Sequence, residues 1–127
     1  MDELTDVNWL ATAIGTVTSF LIGWAWYSPL LFGEKWAEGS RVALGSADKM
    51  PVFAMVTQLL ALLVLSTVIA ITASNNALFT ALLAILAVAL FIASTGSFVR
   101  KSTYAMTVDF FYILLAGTVM IAVQGLL

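Results

Sequence analysis

The sequence predicts an all-α integral membrane protein, a four-helix bundle with a short amphipathic interfacial helix between its first two helices. Hydrophobic residues make up 62% of the 127 residues, and the charged residues are only five Lys and Arg plus seven Asp and Glu. A soluble chain of this length would carry about 32 charged residues. The uncharged residues also form runs long enough to cross a bilayer as helices. Residues 1–127 are therefore expected to form a single transmembrane domain.

Charges and turn signals divide the chain into four spans. The first uncharged run begins at Val7, and Pro29 favours a helix end just before it. Residues 50–99 hold no charge, and as one helix they would be about 75 Å long, more than twice the hydrocarbon thickness. The polar residues 74–76 supply the turn signal that divides this run. The four helices are predicted over residues 7–28, 51–73, 77–99 and 103–126.

The positive charges predict the orientation. The five cations lie in the connections before the second and fourth spans, at Lys35, Arg41, Lys49, Arg100 and Lys101. Four spans place these two connections at one end of the bundle, and the positive-inside rule makes that end cytoplasmic. Both the N-terminus and the C-terminus are then outside. In the cytoplasmic loop over residues 30–50, residues 32–38 have an apolar side and a charged side, which predicts the interfacial helix.

The composition disfavours most classes of catalytic, metal-binding and nucleic-acid-binding site. The chain contains no Cys and no His, which excludes disulfides, thiolate nucleophiles, imidazole metal sites and His-based triads. A net charge of −2 with scattered cations gives no footprint for nucleic acid. We therefore expect no enzyme activity, no cofactor, no metal site and no nucleic-acid partner. The expected partner is the lipid bilayer, together with further copies of the chain or other membrane subunits.

The first span carries a small residue at every fourth position. This helix-packing stripe consists of Ala11, Gly15, Ser19 and Gly23. Small residues let membrane helices approach closely, because apolar contact alone gives little drive for association in lipid. The stripe predicts either an interface between copies in a homo-oligomer or packing inside one four-helix subunit. The sequence leaves these two interpretations open.

Aromatic residues mark the predicted membrane interfaces. The candidate interfacial anchors are Trp9 at the outer end of the first span, and Trp24, Trp26, Tyr27 and Trp36 near its inner end. Trp and Tyr concentrate at both membrane–water boundaries, which favours the interpretation as an anchoring belt. A ligand platform is the alternative, but no cations are interleaved with these rings in a pattern that specifies a head-group pocket.

Asp109 is the single ionisable side chain within a span, which makes it a candidate intramembrane polar site. The predicted topology places Gln58 and Ser94 at a similar depth, with Tyr112 close by in sequence. In one interpretation Asp109 faces the bundle interior and accepts a hydrogen bond from Gln58, from a Ser or Thr hydroxyl, or from the indole of Trp24 or Trp26. In the other it is a proton or cation site in an inward-open cavity. We favour the structural role, because the outer half offers no acidic partner to complete a path.

A run over residues 26–36, reading W-Y-S-P-L-L-F-G-E-K-W, carries a resemblance to a known family. Together with N-W-L at residues 8–10 and D-F-F-Y at residues 109–112, it resembles the signature of the DUF1761 family of small bacterial membrane proteins. The resemblance implies a four-helix membrane fold and the bacterial cytoplasmic (inner) membrane. It implies no activity, substrate or catalytic residue.

These observations lead to one expectation of function and one alternative. We expect a non-catalytic integral membrane protein, either a parallel homo-oligomer or an accessory subunit of a membrane complex. The alternative is a small channel or transporter for protons or a cation, with Asp109 as its site.

Overall fold

A computed structural model describes residues 2–42 and 52–127, and within these ranges the regular structure is entirely helical. After a short 3-10 turn at Asp2–Leu4, the α-helices are α1 Trp9–Trp26, α2 Gly33–Ser40, α3 Val52–Ser74, α4 Leu78–Phe98 and α5 Thr103–Leu126. Helices α1, α3, α4 and α5 are each long and apolar enough to cross a membrane. The predicted all-α fold with four membrane-spanning helices and a short intervening helix is confirmed.

The ends of α1 to α4 differ from the prediction by one or two residues, whereas α5 spans the predicted residues 103–126. Helix α1 ends at Trp26 rather than residue 28, because the Ser28 N–H bonds to the Ala25 carbonyl, three residues back, at 3.2 Å instead of making the α-helical bond to the residue four back. The interfacial helix, predicted over residues 32–38, is α2 and continues to Ser40. Residues 43–51, which include part of the predicted 30–50 loop and the predicted start of the second span, lie outside the described residues.

Local hydrogen bonds explain where the long helices begin and turn. Asn8 caps α1 by accepting the Ala11 N–H at 3.0 Å, and Ser102 caps α5 in the same way. Between α3 and α4, Asn76 adopts a left-handed backbone with φ of 55°, which Asn tolerates better than most residues. The Ala77 N–H then bonds to the Thr72 carbonyl at 2.8 Å. The predicted turn within residues 74–76 is therefore present.

Helix α5 lies at the centre of the bundle and contacts each of the other four α-helices. Its inward residues form the core with side chains from α3 and α4: Leu62, Leu65, Ile69, Ala81, Ile85, Ala89, Tyr112, Ile113, Ala116 and Met120. Large apolar side chains such as Leu82, Leu90 and Phe91 lie exposed on the outside of the bundle. An apolar exterior fits lipid, where there is no water to drive such side chains inward.

The two cation-bearing connections lie at the same end of the bundle. The Arg41 guanidinium donates to the Val99 carbonyl, and the Ser102 N–H donates to the Gly39 carbonyl at 3.0 Å. These bonds join α2 to the α4–α5 connection, and the α3–α4 turn lies about 30 Å away at the other end of α4. We call these the loop end and the turn end. The predicted pairing of the two connections is confirmed for the residues that the structure describes.

Candidate functional site

The carboxylate of Asp109 is the centre of a buried polar cluster at the loop end. Asp109 lies in the second turn of α5 and is 6% exposed. Its Oδ1 accepts hydrogen bonds from the Tyr27 hydroxyl at 2.6 Å and from the Trp36 indole N–H at 2.8 Å. Its Oδ2 accepts from the Lys101 ammonium at 2.9 Å. We call these four residues the Asp109 cluster. Its donors come from the end of α1, from α2 and from the residues just before α5.

The negative charge of Asp109 is balanced within the cluster by the positive charge of Lys101. Lys101 and Asp109 form an ion pair, and the Lys101 side chain is 24% exposed. Burial of an unpaired carboxylate would cost several kcal/mol, so the pair and the two neutral donors make this position tolerable. The Lys101 ammonium also lies 5.3 Å from the centre of the Trp36 ring, within the range of a cation–π contact.

A tight turn between α1 and α2 brings Tyr27 and Trp36 together, although they are nine positions apart in the sequence. The Gly33 N–H bonds to the Ser28 carbonyl at 2.9 Å, which turns the chain back on itself. A Cβ atom on Gly33 would overlap the Tyr27 carbonyl oxygen and lie 2.7 Å from the Ser28 carbonyl carbon, so this turn requires glycine. The rings of Tyr27 and Trp36 then meet edge to face at 5.0 Å.

The neighbouring Trp26 attaches the same turn to α5. Its indole N–H donates to the Val108 carbonyl at 3.0 Å, and its ring lies 4.5 Å from the ring of Phe32. The run at residues 26–36 thus supplies the donors that meet Val108 and Asp109. The most specific part of the family resemblance, residues 26–36, thus supplies three of the side chains that build this junction.

The predicted aromatic anchors fall into two groups. Trp9 and Trp24 are 50% and 65% exposed on the outer surface, where anchoring residues would lie. The other three side chains instead donate hydrogen bonds to residues of α5: Trp26, Tyr27 and Trp36. For these three residues the interpretation as surface anchors alone needs correction, because their side chains donate to the Val108 carbonyl and the Asp109 carboxylate.

Only some of the residues of the predicted polar site lie together in the structure. Gln58 and Tyr112 line the same cavity as Asp109, and the Tyr112 hydroxyl donates to the Ser19 carbonyl at 2.8 Å. Ser94 is exposed and does not join them, because the inward face of α4 is defined by residues such as Ala89 and Gly96. The expected association of Ser94 with Asp109 is therefore wrong.

The donors expected for Asp109 also differ from those observed. The sequence suggested Gln58, a Ser or Thr hydroxyl, or an indole of α1, whereas the observed donors are Tyr27, Trp36 and Lys101. Lys101 had a visible signal, since a long cationic side chain just before a helix can reach a carboxylate in the second turn. Tyr27 and Trp36 had no signal of that kind, because their proximity depends on the turn geometry.

A cavity of about 500 Å³ adjoins the Asp109 cluster. Its polar lining comes from Asp109, Lys101, Tyr27, Trp36, Gln58 and Tyr112. Its remaining lining is apolar or small and comes from α1, α3, α4 and α5: Phe20, Gly23, Trp24, Ala54, Met55, Ile92 and Ile113. We call this space the Asp109 cavity. Apolar walls with a few converging polar groups are typical of small-molecule sites.

The small-residue stripe of α1 lies inside the subunit. Ala11 and Ser19 are 1% and 0% exposed. A Cβ atom on Gly15 would lie 3.1 Å from the Ser66 hydroxyl of α3, and one on Gly23 would lie 2.7 Å from the Tyr112 hydroxyl of α5. The stripe therefore brings α1 close to α3 and α5 of the same chain. Its interpretation as an interface between copies does not fit, because Ala11, Gly15 and Ser19 are buried and Gly23 packs against Tyr112 within the subunit.

Comparison with known proteins gives one match. Neither the search of curated proteins nor the search of solved structures found a protein that matches the chain. A family model described as Protein of unknown function (DUF1761) matches residues 10–125. This match covers nearly the whole chain, from the start of α1 to the end of α5, and includes both the turn at residues 26–36 and Asp109. The chain is thus a multi-pass, all-helical member of the DUF1761 family.

Proposed function

We propose that the protein is a non-catalytic component of the bacterial cytoplasmic membrane, in which the Asp109 cluster clamps the interfacial helix α2 onto the bundle. One observation carries this proposal: a single buried carboxylate accepts hydrogen bonds from three separate segments of the chain. Such an arrangement fixes the relative positions of those segments, because each donor loses its partner if its segment moves away.

The bonding of Asp109 supports this role over the alternative of a proton or cation channel or transporter. A site that loads and releases a cation needs carboxylate oxygen atoms that are open to the ion. Here the Lys101 ammonium already occupies Oδ2, while Tyr27 and Trp36 occupy Oδ1. A cation could bind only by displacing Lys101 and leaving that charge unpaired.

The proposal includes an orientation and an environment. Lys35, Arg41, Arg100 and Lys101 lie in or beside α2 and the α4–α5 connection, at the loop end. By the positive-inside rule we assign this end to the cytoplasm, so that the N-terminal end of α1 and the α3–α4 turn face outward. The basis for a bacterial inner membrane is the likeness of residues 26–36 to the family signature.

Assembly with further copies or with other membrane subunits remains part of the proposal. The stripe of α1 is used within the subunit, so association would use the outer apolar side chains of α3 and α4. Membrane helices associate through packing and interhelical hydrogen bonds rather than through apolar burial alone. The mass of the particle in mild detergent measures this association directly.

The clamp is tested by removal of its acceptor. We expect Asp109→Ala to lower the free energy of unfolding in mild detergent by about 3 kcal/mol, because it leaves Lys101, Tyr27 and Trp36 without their partner. Asp109→Asn retains one oxygen acceptor and should cost about half as much. The matched control is Thr107→Ala on the same helix, an exposed residue whose hydroxyl bonds to the Thr103 carbonyl.

Two further measurements separate a clamp from an ion site. Trypsin should cleave at Lys35 and Arg41 faster in Asp109→Ala than in the wild type, because α2 is released from α5. Proton and alkali-cation flux into proteoliposomes should not depend on Asp109. A flux that Asp109→Asn abolishes while the folding stability stays unchanged would replace the clamp with the channel or transporter hypothesis.

A further inference from the structure

We infer that the Asp109 cavity binds a single-chain amphiphile with an uncharged, oxygen-bearing head group, of the chemical class of a monoacylglycerol. This inference goes beyond the clamp, because most of the cavity wall comes from residues outside the Asp109 cluster. It combines the size of the cavity, its access from the outer surface and the charges at its polar side.

The size and the walls of the cavity suit a hydrocarbon chain. The volume of 500 Å³ lies within the range of about 300–1,000 Å³ that is typical of small-molecule sites. Phe20, Met55, Ile92 and Ile113 give walls that cannot hydrogen-bond to a ligand. Such walls favour an apolar ligand segment over a sugar or a nucleotide, whose hydroxyl groups would lose their partners there.

The cavity is accessible from the lipid-facing surface. Trp24 on α1 and Ala54 on α3 both line the cavity and are both exposed on the outside of the bundle. The opening therefore lies between α1 and α3, in the part of each helix nearest the loop end. A molecule dissolved in the bilayer could insert its chain through this opening without crossing the aqueous phase.

The polar side of the cavity offers hydrogen bonds to a head group. An ammonium has three N–H donors, and Lys101 gives one of them to Asp109. Gln58 contributes an amide, which donates and accepts. Gln58 and Asp109 each lie six residues into their helices, so both are about 9 Å from the loop end. Hydroxyl and ester oxygens of a head group at that depth would lie within hydrogen-bonding reach of Gln58 and of the Lys101–Asp109 pair.

The charges select against an ionised head group. Lys101 and Asp109 are 2.9 Å apart, so an anion drawn to the ammonium would be repelled by the carboxylate. A cationic head group would be attracted by the Asp109 carboxylate but repelled by the Lys101 ammonium. Lys101 also already occupies the position over the Trp36 ring that a cation would take. An uncharged head group avoids both conflicts and the desolvation cost of a buried charge.

The experiment uses the full chain in nanodiscs and a monoacylglycerol whose acyl chain carries two bromine atoms. Bromine quenches nearby Trp fluorescence, and Trp24 and Trp36 line the cavity. We expect saturable quenching that unbrominated monoacylglycerol reverses by competition. Ala54→Phe fills the cavity and should weaken binding at least tenfold. The control Ala61→Phe makes the same change on an exposed residue of α3 outside the cavity, and should bind as the wild type does.

The head-group class is tested with brominated compounds of the same chain length. We expect the fatty acid and the alkyl trimethylammonium to bind at least tenfold more weakly than the monoacylglycerol. Gln58→Leu should also weaken binding about tenfold, whereas Thr57→Val, a neighbour outside the cavity lining, should not. Gln58 is exposed, so this variant tests the site even if Ala54→Phe fails to fold.

Three results would overturn the inference. The first is quenching that does not saturate, which indicates bulk lipid around the protein. The second is binding that neither Ala54→Phe nor Gln58→Leu reduces in folded protein. The third is equal or tighter binding of a charged compound. None of these results depends on whether Asp109 acts as a clamp, because all of the variants keep the Asp109 cluster intact.

Discussion

The two ends of the bundle are held together by different means. At the loop end, a carboxylate, an ammonium, a phenol and an indole join segments that are far apart in the sequence. At the turn end, the side chains of Ser74 and Asn75 bond to the carbonyl of Ile71 in their own helix. One long-range polar contact at that end, from the Gln124 amide to the Thr12 hydroxyl, is 3.5 Å long, at the limit of a hydrogen bond.

Toward the turn end, close approach of small residues is the main feature of the helix packing. A Cβ atom on Gly117 of α5 would overlap the Ile85 side chain of α4, and Gly15 leaves room for Ser66 and Met120. The Ser66 hydroxyl donates to the Thr12 carbonyl at 2.9 Å across this contact. The loop end therefore depends on the chemical identity of its residues, whereas the turn end depends mainly on their size. Point mutations should therefore distinguish the polar contacts of the loop end from the size-dependent packing of the turn end.

The largest effect is expected from Gly33→Ala at the loop end. The added methyl group overlaps the backbone of Tyr27 and Ser28, which cannot move aside as a flexible side chain could. We expect the free energy of unfolding to fall by about 3 kcal/mol, with faster trypsin cleavage within α2. Gly125→Ala is the control, since nothing lies within 4 Å of its added Cβ. Equal stability of the two variants would show that the turn does not position Tyr27 and Trp36.

An intermediate effect is expected from Met120→Ala nearer the turn end. Met120 is fully buried, so its truncation leaves a cavity between α1 and α5. We expect a loss of about 2 kcal/mol in detergent unfolding, at the low end of the range for such substitutions, because the lipid environment removes part of the hydrophobic term. Leu86→Ala on the outer face of α4 is the control and should cost much less. A result in which Leu86→Ala costs as much would contradict packing by size.

The smallest effect is expected from Gln124→Leu at the turn end. The Gln124 amide makes a contact of 3.5 Å with the Thr12 hydroxyl, which is too long to contribute much. We expect a change within about 0.5 kcal/mol of wild type in the same unfolding assay. A loss of 2 kcal/mol or more would show that polar bonding stabilises both ends, and the contrast between them would no longer hold.

The spans could be predicted from the sequence because charged residues are costly in a bilayer, so that membrane-spanning segments appear as long uncharged runs. The uncharged run over residues 50–99 had to turn back once, and residues 74–76 were its polar interruption. The prediction of the end of α1 was less accurate, because the chain leaves the helix before Pro29 through the bond from the Ser28 N–H to the Ala25 carbonyl. Hydropathy alone does not specify such bonds.

The site was less predictable, because depth along a helix does not define direction around it. Ser94 and Gln58 were placed near Asp109 by depth, yet Ser94 lies on the outer face of α4 while Gln58 reaches the cavity. Trp36 was expected at the membrane surface from its amphipathic segment, but its indole reaches Asp109. That contact depends on how the turn at Gly33 directs α2, which is a tertiary feature with no simple periodicity.

The sequence separation within the Asp109 cluster has a consequence for biogenesis. Tyr27 and Trp36 are synthesised long before their acceptor, since about seventy residues separate Trp36 from Asp109. Because translation proceeds from the N-terminus, Tyr27 and Trp36 can reach this acceptor only after α5 has been synthesised. The insertion of α5 therefore supplies the central helix of the bundle and, in the same step, the acceptor that fixes Tyr27 and Trp36.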